Sequence, residues 1–200
     1  MMIKTNRNLR NRMIQSLIII TLFSACKSIS YESAVLSNED KFYGVKEDNA
    51  LLLVELKDLS QLAEDLSGLA EEKAYIKDVY DLGQSAIKDH KKLQTQLAIL
   101  AFKKRAKLPS SVKKENQEIY RSIHKITDRK SFDIVYLDNM EETLQKMADL
   151  SDKFLEDSQD TQMRNFITKH SGVIKSELKR IETIQDYMGK PNPEITSRDQ

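Results

Sequence analysis

The sequence predicts an all-α protein, an up-down four-helix bundle with a short extra connecting helix. Apolar residues recur at steps of three and four through most of the chain, which places them on one face of a helix. No stretch shows the strict alternation that is typical of a half-buried strand. Only five Gly and three Pro occur in 200 residues, so helix breakers are few. With 32% charged residues, each helix is expected to keep one face in water.

The first residues are typical of a signal that directs bacterial lipoproteins to the cell envelope. A stretch with four basic and no acidic residues comes first (1–12), an apolar run follows (17–23), and two small residues precede Cys26. This order predicts a signal peptide over residues 1–25. Cys26 is then expected to become the acylated N-terminus and to serve as a lipid anchor, with a membrane as the partner.

Two other interpretations of this segment compete with a lipoprotein signal. A transmembrane anchor would need about 20 apolar residues, and the run is shorter. A plain secretory signal would leave Cys26 incidental, and Phe23 stands three residues before it, where Leu is usual in lipoprotein signals. Lys27 is not the Asp that is associated with inner-membrane retention in some bacteria. The sequence therefore favours the outer membrane over the inner, with the domain facing the periplasm or the exterior.

Composition restricts the other partners. Without residues 1–25 the chain has 28 Lys and Arg against 31 Asp and Glu, a net charge near −3. A nucleic-acid binder would show a basic stripe, so no nucleic-acid partner is predicted. The lone cysteine excludes an intrachain disulfide, and the fold must be stable without one. The sequence specifies no protein partner or small ligand.

Residues 26–45 contain four serines without a sustained helical period, and they are predicted to form the lipid attachment site and a tether. The bundle domain is predicted over residues 46–188. Pro191 and Pro193 cannot continue a helix, so residues 189–200 are predicted to be a disordered tail.

Five helices are predicted in the domain, and Gly68 is expected to end or kink the first. The second would be about 50 Å long and should overhang or bend. Four of the helices are long enough to bury their apolar faces against one another, which gives the bundle. The predicted helices cover residues 46–67, 72–106, 111–126, 130–157 and 160–188.

Polar residues interrupt two of the apolar faces. His90 falls in line with apolar residues at steps of seven, and His170 and Glu177 fall in such a line on the last helix. A buried imidazole or carboxylate is costly unless it is paired. Antiparallel packing is expected to bring His90, Glu177 and Glu55 to a similar height, with His170 about 10 Å away in another layer.

These residues leave two interpretations open, a metal or proton-handling site built from Glu55, His90 and Glu177, or a polar layer that fixes helix register. The di-iron signature of helical bundles needs Glu-x-x-His pairs. No Glu lies three residues before His90, His124 or His170. Phosphate loops and nucleophile elbows are also missing from the sequence. We therefore expect a non-enzymatic protein with no cofactor, with metal binding or storage as the alternative and an enzyme of unrecognised type as a third class.

Two motifs point to a family. Asp89-His90 lies in the second predicted helix, and Phe132-Asp133-x-x-Tyr136 opens the third long helix. At this separation the pair resembles the bacterial domain of unknown function 4142, often called "predicted outer membrane protein". The resemblance implies a ferritin-like four-helix bundle that is secreted or periplasmic, often lipid-anchored, and without an established reaction.

The resemblance also implies inward polar positions. Members usually carry further histidines where this chain has Leu144 and Glu177, while the Asp-His histidine is kept as His90 and the usual first-helix Glu falls at Glu55. One His with two Glu should bind soft or borderline metals less well than the family's histidine-rich set.

Overall fold

The computed structural model describes residues 28–189. Cys26, the predicted signal segment and the residues after 189 lie outside this range. The regular elements of residues 28–189 are six helices. The prediction of an all-α four-helix bundle with a short connecting helix is confirmed. The helices are α1 (Tyr31–Glu39), α2 (Val45–Lys73), α3 (Lys77–Lys104), α4 (Lys114–His124), α5 (Arg129–Asp157) and α6 (Thr161–Met188).

The bundle consists of α2, α3, α5 and α6, and α2 is its most enclosed helix. α3 and α5 pack on two sides of α2, and α1 and α4 cover the rest. Leu53, Val54 and Leu62 are each at most 1% exposed. Gly83 lets α3 approach α2 closely, because a Cβ at this position would lie 2.9 Å from the Ala70 Cβ. The core is therefore built around α2.

The chain path differs from a plain up-down alternation at one connection. Arg129 at the start of α5 donates to the carbonyl of Ala74, which lies between α2 and α3. α5 therefore starts at the same end of the bundle as α3 and runs in the same direction. α4 returns the chain along α2, from the level of Asp58 to that of Lys73. A single crossover of this kind is the connectivity of ferritin-like bundles.

Two predicted helix lengths need correction. α2 continues through Gly68 to Lys73, since an exposed glycine inside a helix costs only about 1 kcal/mol relative to Ala. α3 has 28 residues, and its neighbours have 29, 29 and 28. The expected overhang of a 35-residue helix is therefore wrong.

The predicted tether is wrong over Tyr31–Glu39, which form α1 and pack on the bundle. Ser30 caps this helix by accepting a hydrogen bond from the backbone N–H of Ser33 at 3.2 Å. Ala34 and Asn38 are completely buried. The Asn38 amide donates to the carbonyl of Lys107 and accepts from its N–H, at 2.9 and 2.8 Å. α1 buries only two side chains, Ala34 and Asn38, so its sequence shows no repeating apolar pattern from which a helix could be predicted.

Candidate functional site

The centre of the bundle holds a buried imidazole and carboxylate in contact. His90 lies near the middle of α3 and Glu177 near the middle of α6, and these helices run antiparallel. The His90 Nε2 and the Glu177 Oε2 are 3.3 Å apart, and the two residues are 2% and 3% exposed. The atoms are close enough for an ion pair but are not aligned as a hydrogen bond, and neither Glu177 oxygen accepts one from a described residue.

The other main helices add hydroxyl groups to this pair. Ser60 Oγ on α2 lies 3.1 Å from His90 Nδ1. Ser67 Oγ, two turns further along α2, lies 3.4 Å from Tyr136 Oη on α5. Burial raises the pKa of Tyr136 above its usual range, and the nearby Glu177 carboxylate raises it further. We call Ser60, Ser67, His90, Tyr136 and Glu177 the central polar layer; each of the four bundle helices contributes to it.

Glu55 lies outside this layer, which corrects the predicted set of three residues. It accepts a hydrogen bond from Tyr31 on α1, and its carboxylate is 3.5 Å from the Lys113 ammonium. Because α2 extends beyond Gly68, its midpoint lies at Leu59, later than predicted, and Ser60 faces His90. No three His, Cys, Asp or Glu side chains converge as metal ligands within residues 28–189.

The motif residues beside the layer hold the helix connections in place. The Asp133 carboxylate is fully buried and accepts hydrogen bonds from the backbone N–H groups of Tyr75 and Ile76, at 3.1 and 2.7 Å. These two residues lead into α3, so Asp133 fastens the α2–α3 connection to α5. Burial raises the pKa of the Asp133 carboxyl, and the two hydrogen bonds oppose that shift.

The remaining motif residues lie around these groups. The buried Phe132 ring stacks on the Tyr136 ring with centroids 5.9 Å apart. Asp89, next to His90, is half-buried on α3. Leu144, at the place of a family histidine, is completely buried in the apolar core. Three motif residues, Phe132, Asp133 and Tyr136, therefore have a structural role.

A second polar cluster lies under α1 and α4, and the sequence analysis did not identify it. Asp58 is 1% exposed and accepts hydrogen bonds from the Lys113 N–H at 2.7 Å and the Asn116 amide at 2.6 Å. Burial raises the pKa of Asp58 to about 6, against these bonds. Next to it, a groove of about 810 Å³ is lined by Tyr31, Glu55 and Lys113 together with side chains of both charges from α5. The available signal was an Asp between Leu56 and Leu59, two buried apolar positions of α2.

His170 belongs to a separate layer, as predicted. It is 6% exposed, its Nε2 lies 3.0 Å from the Gln96 Oε1, and its ring centroid is 4.6 Å from that of Phe166. Burial lowers the pKa of His170 to about 4, and the charge of Lys169 adds to the shift. This imidazole is therefore neutral at neutral pH.

The fold and the layer define a helical bundle domain with one crossover and a closed polar centre. Residues 43–184 match the model of the family described as a domain of unknown function (DUF4142). The chain belongs to this family. Comparisons with curated proteins and with solved structures gave no match. Among the helices of residues 28–189, none combines the length and the apolar character that a membrane span requires.

Proposed function

We propose that the chain is a lipid-anchored protein of the cell envelope whose helical bundle has a non-enzymatic role in stress, at the surface or in binding. The order of basic stretch, apolar run and small residues before Cys26 is the observation on which the proposal depends. The packed domain follows almost directly: Ile29, three residues after Cys26, is hydrogen-bonded to Ser110. An acyl chain on Cys26 would therefore hold the bundle close to a membrane.

The central polar layer supports a non-enzymatic role. His90 and Glu177 are enclosed by all four bundle helices, so a substrate would have to separate helices to reach them. Two surface grooves, of about 810 and 820 Å³, are lined by other residues. Catalytic groups normally converge on a pocket that a substrate can enter. A layer of this kind is best suited to fixing helix register.

Mass spectrometry of the protein isolated from the membrane fraction tests the anchor. We expect an N-terminal peptide that begins at Cys26 and carries acyl chains. The Cys26→Ser chain should lack them and should not be cut after Ala25. A Ser28→Ala chain, which changes a nearby serine, is the matched control and should be acylated normally. An unmodified mature N-terminus would refute the proposal.

We place the protein in the outer membrane because Lys27 follows Cys26. Density-gradient separation of the two membranes tests this assignment. The acylated wild-type chain should band with the outer membrane, and a Lys27→Asp chain should shift toward the inner membrane. Identical distributions of both chains in the inner membrane would contradict it.

Metal binding is the alternative, and it now depends on His90 and Glu177 alone. Metal analysis of protein purified without chelator, with His90→Ala and Glu55→Ala chains beside it, decides between the two. A metal lost only in the His90→Ala chain would favour the alternative. No metal, or one that survives the His90 change, would leave the structural role in place.

A further inference from the structure

We propose that one end of the bundle docks on the surface of an anionic lipid bilayer. This surface, which we call the basic end, comprises the exposed apolar side chains Tyr43, Val45, Ile99 and Phe102 and the cations Lys103, Arg105 and Lys107. The inference rests on the proposed lipid anchor and adds to it an orientation of the domain and a class of lipid.

The second half of α3 and its connection to α4 carry formal charges of one sign. From His90 to Lys114 there is no acidic residue, while eight Lys and Arg occur: Lys91, Lys92, Lys103, Lys104, Arg105, Lys107, Lys113 and Lys114. Lys91, Lys104 and Lys113 are paired with acidic groups. Lys103, Arg105 and Lys107 are exposed and form no ion pair with another described residue. Basic side chains at such a position attract anionic lipid headgroups.

Arg105 carries one of these cations at the end of α3. Arg105 terminates α3 in the left-handed conformation, with φ of 58°, and among the described residues it is the only non-glycine with positive φ. Helices that end this way usually have Gly or Asn there, because other side chains are strained. Strained residues often occur at functional sites, and here the strained residue carries a guanidinium at the end of α3.

The apolar part of the basic end is exposed to an unusual degree. Phe102 is 85% exposed, Tyr43 is 81% exposed, and Val45 and Ile99 are 63% and 53% exposed. Ile99 and Phe102 share a face of α3 because they are three residues apart. Lys41 ties the two segments together, since its ammonium donates to the carbonyl of Arg105 at 2.6 Å. Aromatic rings flanked by cations are suited to the headgroup region of a bilayer.

The start of the described chain lies on the side of the bundle: Ser110 is beside Lys57 and Asp58, about 20 Å along α2 from Val45. Ile29 and Ser110 exchange backbone and side-chain hydrogen bonds of 2.7 to 3.1 Å, and Ser110 lies five residues after Arg105 in the α3–α4 connection. Cys26 precedes Ile29 by three residues, and three residues span at most about 10 Å. An acyl anchor and a basic patch act together on an anionic bilayer. The basic end would add such a patch to the proposed anchor.

Acidic groups at this end set the expected strength. Five exposed acids lie at the same end: Glu39, Asp40 and Asp48 on the α1–α2 side, and Glu156 and Asp157 at the end of α5. They reduce the attraction without interrupting the positive stretch of α3. We therefore expect docking that is sensitive to salt and that depends on the anchor for its permanence.

Tryptophan fluorescence tests the orientation, because the chain contains no Trp. The acylated Phe102→Trp chain is reconstituted in phosphatidylcholine vesicles with or without phosphatidylglycerol, and quenching by brominated lipid is measured. Ile134→Trp is the matched control, since Ile134 is 52% exposed near the start of α5, at the opposite end of the bundle. We expect a blue shift and strong quenching for Phe102→Trp in the anionic vesicles only, and neither for Ile134→Trp.

A charge variant separates docking from simple proximity to the anchor. Lys103→Ser, Arg105→Ser and Lys107→Ser, combined in the Phe102→Trp chain, should lower the ratio of docked to undocked protein on the order of a hundredfold, at about fivefold per cation. The control chain carries Lys77→Ser, Lys125→Ser and Lys130→Ser, which remove the same charge at the far end. It should leave the ratio of docked to undocked protein unchanged.

Each outcome bears on one proposal. Equal quenching in neutral and anionic vesicles, or quenching that survives loss of the three cations, overturns the docking and leaves the anchor in place. An unacylated Cys26 in the same preparation, found by mass spectrometry, overturns the anchor while charge-dependent quenching still supports the docking. A blue shift that appears only with an added soluble protein would assign the basic end to a protein partner and overturn the lipid assignment.

Discussion

Asp133 and Glu177 are both buried carboxylates, but their surroundings differ. Asp133 is fully enclosed and accepts two backbone N–H bonds from the residues that lead into α3. Glu177 lies in the middle of α6, 3.3 Å from an imidazole nitrogen and without an aligned hydrogen bond. Asp58 resembles Asp133, since it accepts from the N–H of Lys113 at the start of α4.

The difference teaches what each acid does for the fold. A backbone N–H stays in place whatever the side chain is, so removing an aspartate that binds it leaves a buried donor unsatisfied. A side-chain pair can instead be removed as a whole and replaced by apolar groups at little cost. The aspartates therefore fasten connections, while the His90–Glu177 pair selects which helices face each other at mid-height.

The largest expected effect is that of Asp133→Ala. Two buried N–H groups would lose a charged acceptor, so the free energy of unfolding should fall by about 3 to 5 kcal/mol. Denaturant titration measures the change. Asp138→Ala, on the exposed side of the same helix, is the control and should shift stability by less than about 0.5 kcal/mol. Similar small effects in both chains would show that Asp133 does not hold the α2–α3 connection.

The next effect concerns the pair in the central polar layer. His90→Leu or Glu177→Leu alone should cost about 3 kcal/mol, because each leaves a buried polar partner without its counterpart. The double change should cost much less than the sum of the two. A double-mutant cycle measured by thermal melts gives the coupling, which we expect to be about 2 kcal/mol.

His90 with Asp138 provides the reference cycle, because these residues make no contact and their effects should add. Additivity between His90 and Glu177 would mean that their 3.3 Å approach has no energetic weight. The pair could then not be what selects the helices that face each other at mid-height.

The bundle itself was predictable because its signal is local. Steps of three and four fix the faces of four long helices, and the family motif at Asp89-His90 and Phe132-Asp133 lies where expected. His90 and Glu177 meet because both lie at mid-helix on antiparallel neighbours. Height along a bundle can therefore be read from sequence when helix ends are known.

The incorrect predictions concern features that tertiary contacts determine. Gly68 does not end α2, because packing on every side of this helix outweighs a weak breaker. The error moved the predicted partner of His90 from Ser60 to Glu55. The run Leu51–Val54 places apolar side chains all round one turn of α2, which indicates that this turn is enclosed by other elements. That enclosure requires covering elements, and α1 is one of them.

A smaller effect is the pH dependence of stability, to which Asp58 and His170 contribute with opposite signs. The folded pKa of Asp58, about 6, exceeds its ordinary 3.8, so the folded chain binds the proton more tightly and is favoured as pH falls through 6. His170 is opposite: its folded pKa, about 4, is below 6.5, so stability is lost as pH falls from about 6.5 to 4.

The two contributions oppose each other in one pH window, and single variants should separate them. Between pH 7 and pH 5, Asp58→Asn should become less stable relative to wild type by about 1 kcal/mol, because the stabilising protonation is removed. His170→Gln should become more stable relative to wild type over the same range. Denaturant midpoints at both pH values give the result, and parallel shifts in all three chains would show that neither group titrates as described.

The smallest expected effect tests whether Glu177 lacks a donor. Tyr136→Phe removes a hydroxyl that is 3.4 Å from the Ser67 Oγ and electrostatically close to Glu177. If the hydroxyl bonds only to Ser67, as the geometry indicates, the unfolding free energy should fall by about 0.5 to 1 kcal/mol, the value of a neutral hydrogen bond. Were it the donor to the Glu177 carboxylate, the loss would be about 1.5 to 3 kcal/mol.

Two further variants distinguish these cases. Ser67→Ala should match Tyr136→Phe if the hydroxyl bonds only to Ser67, and should fall well short of it if the hydroxyl donates to Glu177. Tyr43→Phe, on the exposed surface, corrects for the loss of a hydroxyl in water. A large effect at Tyr136 alone would make Glu177 a bonded acid like Asp133, held by a side chain in place of the backbone.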